Sequence, residues 1–111
     1  MKIGSRGSMN PDKAFDAIAR EMLKDALVSE GRMFGSSGLK VSGKVFAMLV
    51  KGELVVKLPR ARVEELEASG AGHPFDPGHG RIMREWVAVS PEAADRWRGL
   101  AREARGFVGT A

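Results

Sequence analysis

The sequence predicts a small α+β domain: an antiparallel meander sheet with helices packed on one face, in the order α-β-β-β-α-β-(β)-α. Three observations lead there. Segments near both ends repeat apolar residues every three or four positions. The middle of the chain alternates over short runs separated by glycine-containing pairs. Finally, 43% of the 111 residues are apolar, enough for one core and too few residues for two domains.

Residues 1–8, Met-Lys-Ile-Gly-Ser-Arg-Gly-Ser, have no apolar period and are expected to be a disordered leader or an expression scar, leaving 9–108 as one domain. Asn10-Pro11-Asp12 starts a helix, with Asn10 as cap, Pro11 in the first turn and Asp12 opposing the dipole. Phe15, Ile18, Ala19, Met22, Leu23 and Ala26 then form one apolar stripe, which predicts a helix over 11–27. Gly35-Ser36-Ser37-Gly38 reads as a turn, and 39–41, 44–50 and 53–58 read as strands joined through Ser42-Gly43 and Lys51-Gly52.

With two-residue loops, Val45, Ala47, Leu49, Leu54, Val56 and Leu58 share a core face. The other face carries Leu39, Val41, Phe46, Met48, Val50 and Val55, interrupted by Lys44, Glu53 and Lys57. A bulge at Gly52 would exchange the faces of the third strand. Residues 59–69 form a short helix with Val63 and Leu66 inward and Gly70 as its stop. His-Pro-Phe-Asp-Pro-Gly-His-Gly, 73–80, is a loop. A strand follows over 81–89, with Met83, Val87 and Val89 on one face and Ile82, Trp86 and Ala88 on the other. Ser90-Pro91-Glu92 caps a last helix whose stripe is Ala94, Trp97, Leu100, Ala101 and Ala104, with Gly99 expected to pack closely on another backbone.

Composition excludes several functions. Without cysteine there is no disulfide framework, thiolate zinc site or Cys nucleophile. No apolar run approaches the roughly 18 residues of a membrane span, and no secretory h-region follows Lys2 and Arg6, so the expected location is cytoplasmic. Eighteen Lys plus Arg against 14 Asp plus Glu give a net charge of +4, but Lys2 and Arg6 fall in the expected leader.

The pattern Arg32-Met33-Phe34-Gly35, Gly38-Leu39, Gly43-Lys44-Val45-Phe46-Ala47-Met48-Leu49, Gly52-Glu53-Leu54 and Val56-Lys57 resembles the N-terminal domain of the TfoX/Sxy family, small bacterial proteins named after a regulator of natural competence. The similarity continues through Leu66, Gly70, Phe75 and the strand 83–89 before Ser90-Pro91, covering about 10–108. It implies the fold of that domain and of the related YjbR-type proteins, a regulatory or interaction role, and no catalytic residues.

Candidate chemistry is sparse. His73, Asp76 and His79 share one loop, but its spacing is not helical and nothing completes a metal site; a solvated loop anchored by Phe75 is expected, with no cofactor. Ser36, Ser37 and Ser42 sit in turns without a base beside them, and Glu64, Glu65 and Glu67 fall on a helical face with Arg60 and Arg62. No catalytic constellation assembles, so the chain is expected not to be an enzyme.

Two binding surfaces remain. Phe46, Met48, Val50 and Val55 form the candidate partner or self-association surface, unless helix one or the last helix covers it. Arg81, Arg84, Arg98, Arg102 and Arg105 form the candidate nucleic-acid contact, diluted by Glu92, Asp95 and Glu103. The first makes the chain a protein-interaction module and the second a nucleic-acid-binding accessory domain.

Overall fold

Asn10 caps the first helix as its sequence predicts: Oδ1 accepts from the Asp12 and Lys13 amides at 2.8 and 3.4 Å, and Pro11 opens α1, Pro11–Met22. In the computed structural model, which describes residues 10–33, 36–76 and 83–110, α1 buries Phe15, Ile18 and Ala19. It stops five residues short of the expected end, and Ala26 is exposed. The cause is local. Asp25 Oδ1 accepts from the Leu27 amide at 2.9 Å and the Asp25 carbonyl accepts from Val28 at 3.0 Å, a turn that outcompetes helical bonding.

That turn releases β1, Val28–Met33, a strand the apolar pattern does not announce. It pairs with β2, Ser36–Val41, so Ser36, Ser37 and Gly38 lie in a strand rather than in the expected turn. Phe34 and Gly35, like residues 1–9 and 77–82, lie outside the described residues. β3, Lys44–Val50, and β4, Glu53–Lys57, follow through Ser42-Gly43 and Lys51-Gly52. Both pairs have positive φ at both positions, 52° and 84°, then 52° and 82°, the handedness that matches strand twist in two-residue hairpins.

α2, Arg60–Ala68, buries Val63 and Leu66 and ends at Gly70, φ 82°, with the Ala71 and Gly72 amides both donating to the Leu66 carbonyl at 3.0 Å. β5, His73–Pro74, and β6, Trp86–Val89, complete an antiparallel six-stranded sheet among the described residues, ordered β1-β2-β3-β4-β6-β5. The strand expected over 81–89 is therefore shorter, because the Trp86 amide donates to the Met83 carbonyl and closes a turn. Ser90 Oγ accepts from the Glu92 amide at 3.0 Å, starting a 3-10 segment, Pro91–Arg96, that leads into α3, Trp97–Gly109. Trp97 is fully buried and its indole N–H donates to the Ser90 carbonyl at 3.1 Å.

The helices cover one face of the sheet, as expected, but the faces are sorted differently. A bulge lies in β3 rather than at Gly52: Leu39 faces Ala47 and Lys40 faces Val45, so Phe46 is inserted without a partner. Phe46 therefore joins Leu39, Val41, Ala47, Leu54 and Val56 beneath the helices, while Val45 moves to the opposite face. Leu39 and Val41, expected on that opposite face, belong to the main core.

Gly99 corrects another expectation. Among the described residues a Cβ there would meet nothing within 4 Å, so none of their backbone packs against it. Gly99→Ala is expected to raise unfolding stability by about 1 kcal/mol through helix propensity alone. At Gly72 a Cβ would stand 2.5 Å from Cγ2 of buried Val87. Gly72→Ala should lower stability by about 1–3 kcal/mol, and urea unfolding of both variants checks the pair of opposite signs.

Candidate functional site

Strand register builds the helix-free face. Gly38, Met48, Val55, Ala88 and His73 lie side by side across five strands, and opposite residues of a ladder project to the same side. Period two adds Val50, Glu53 and Trp86 to that side. Phe75 and Trp86, 5% and 7% exposed, pack with Met48, Val55 and Ala88, which leaves Met48 fully buried and Val55 1% exposed. Val45, Val50 and Met83 rim this second cluster.

A cleft of about 380 Å3 opens beside the cluster. Val50, Val55, Phe75 and Ala88 supply its apolar lining, and Ser36, Lys51, Glu53, His73 and Asp76 its polar one. His73 Nε2 donates to both Glu53 oxygens, at 2.9 and 3.0 Å, and Nδ1 lies 3.3 Å from the Pro74 carbonyl oxygen. Acceptors on both ring nitrogens suit the imidazolium, the only form in which both donate. The Glu53 hydrogen bond accordingly raises the His73 pKa above its usual 6.5 against the opposing effect of burial. The cleft is chemically suited to recognition by shape and charge.

The expected partner surface is rearranged. Phe46 is buried under the helices, Met48 and Val55 lie beneath Phe75 and Trp86, and Val50 alone of the four is half-buried. The helices cover Phe46, as the alternative expects, whereas Met48 and Val55 are covered by the segment around β5 and β6. His73 and Asp76 both line the cleft, while His79 lies outside the described residues, among which no group of three ligating side chains gathers. Phe75 is anchored as expected, though in the second cluster. Sequence reading missed the Glu53–His73 pair. Alternation in β4 placed Glu53 with Val55, but nothing local ties either to a histidine twenty residues on.

The candidate nucleic-acid residues divide as well. Arg81 lies outside the described residues, and Arg84 is exposed in the turn before β6. On α3, Arg98 reaches Glu21 at 2.9 Å, Arg102 reaches the same carboxylate, and Arg105 donates to Asp25 at 2.9 and 2.6 Å. The Arg102 hydrogen bond holds Glu21 below the usual carboxylate range, and the Leu27 amide followed by Arg105 does the same for Asp25. Three of the five arginines thus face acids at the foot of α1. Among the described residues no helix is long and apolar enough to cross a membrane.

NMR titration of His73 should give a midpoint above 6.5 that falls toward 6.5 in Glu53→Gln. Because the folded-state pKa is raised, the stabilising contribution of the pair is complete below 6.5 and is lost as pH rises through the raised value. Identical midpoints in the two proteins would contradict the pair.

The family model described as the TfoX N-terminal domain matches residues 22–108, from the end of α1 almost to the end of α3. No curated protein matches the chain. The matched span contains the six strands of the described residues, the described residues that line the cleft and the two glycine hairpins, and the chain belongs to the TfoX N-terminal domain family.

Proposed function

We propose that this chain is a non-catalytic, cytoplasmic interaction module of regulatory type, and that it holds a protein partner in the cleft on its helix-free face. The observation that carries the reading is the composition of that cleft: an apolar lining formed by Val50, Val55, Phe75 and Ala88, with Lys51, Glu53, His73 and Asp76 around it. Such a lining takes an apolar side chain from a partner while the surrounding charges select its neighbours. Membership of the TfoX N-terminal domain family supports the regulatory role. Nucleic acid is the weaker reading, since Arg98, Arg102 and Arg105 already have carboxylate partners within the chain.

Capture from native cytosol with wild type, Val50→Glu, Lys51→Glu and Arg84→Glu separates the two. Proteins held by wild type should be lost from both cleft variants and kept by Arg84→Glu. The same proteins on all four would contradict the cleft. Retention of duplex DNA at about 100 mM salt, falling steeply as salt rises, would replace this reading with the nucleic-acid one.

A further inference from the structure

We infer that the outer edge of β1 pairs with the β1 edge of a second copy of this chain, antiparallel about a two-fold axis at Gly31. This lies apart from the cleft and stands or falls independently of it. β1 ends the sheet, and among the described residues only β2 is bonded to it.

The hydrogen-bond phase of the edge follows from its neighbour. The Ser42 amide donates to the Leu27 carbonyl at 2.9 Å, continuing the register in which Val28 faces Val41. Bonded and non-bonded pairs alternate in an antiparallel ladder, so Ser29 and Gly31 direct their backbone groups toward β2. Glu30 and Arg32 direct theirs to the open edge, whereas the Val28 amide is taken by the Asp25 carbonyl. A copy related by a two-fold axis can use those groups only when even-numbered residues stand opposite even-numbered ones.

Three central registers satisfy this, and charge distinguishes them. Glu30 opposite Glu30 of the second copy, or Arg32 opposite Arg32, sets like charges face to face. Glu30 opposite Arg32 sets unlike charges together twice, once on each side of the axis. In that register Gly31 meets Gly31 in the close, non-bonded pair at the axis, where the absence of a Cβ leaves room. Glu30 and Arg32 are both exposed, and neither has an ion pair or a side-chain hydrogen bond among the described residues. Charges on an edge strand commonly discourage pairing, but an alternating unlike pair disfavours the two registers beside it and favours the one it complements.

Light scattering and sedimentation of the full chain over a concentration series test the pairing. Wild type should dimerise. Glu30→Arg and Arg32→Glu, each placing like charges opposite one another twice, should weaken association by at least about tenfold. An equimolar mixture of the two single variants restores both unlike pairs and should dimerise as wild type does, as should the double variant carrying both exchanges. A monomeric wild type at all concentrations, single variants that dimerise unchanged, or a mixture that stays monomeric would each overturn the inference. Both residues are exposed, and an unchanged circular dichroism spectrum separates lost pairing from lost fold.

Discussion

Val45 and Phe46 stand together opposite Lys40, and this insertion into the β2–β3 ladder determines which side chains meet the helices. Strand side chains alternate with a period of two, so an unbroken β3 would put Phe46 beside Met48 on the helix-free face. With the bulge, Phe46 is fully buried in the same core as Trp97 and Leu100. The helix-free face keeps Met48, Val55 and Ala88, a shallower row that Phe75 and Trp86 can cover. Two apolar clusters of unequal size result, and the cleft lies at the margin of the smaller one.

Charge is used at a second level, to hold α3. Glu21 and Asp25 meet Arg98, Arg102 and Arg105 on one side of it, and Glu103 meets Arg62 of α2 at 2.9 Å on the other. These pairs are partly exposed, and each contributes little to stability by itself. Their consequence is orientation: they bind α1 and α2 to the helix that lies on β3 and β4. Much of the basic character of the last helix is thus directed inward along the molecular surface, toward the chain's own acids.

Legibility followed the range of the forces involved. Asn10 and Ser90 as caps, the turns at Ser42-Gly43 and Lys51-Gly52, and the stripe of Trp97, Leu100, Ala101 and Ala104 depend on residues a few positions apart, and all could be read directly. β1 could not, because Val-Ser-Glu-Gly-Arg-Met lacks alternation and exists as a strand through its pairing with β2. The early end of α1 is not legible, because the apolar stripe of Met22, Leu23 and Ala26 continues past the turn that Asp25 closes. The bulge moved the face assignment from one hairpin to the other, and the cleft was hidden because it needs β5, β4 and Phe75 brought together from distant positions. Its residues were nevertheless in view. The sequence shows Val50 and Val55 on one strand face and His73 and Asp76 in one loop, and only the fold groups them.

The domain has two apolar clusters, one sealed under helices and one bordered by an open charged cleft, and the sorting of β3 is what creates that division. The direct test is the proton–proton Overhauser pattern of the Phe46 ring in solution. The bulge predicts cross-peaks from Phe46 to side chains of α3 and from the Met48 methyl to Phe75 or Trp86. Cross-peaks from Phe46 to Phe75 or Trp86, with none to α3, would contradict it.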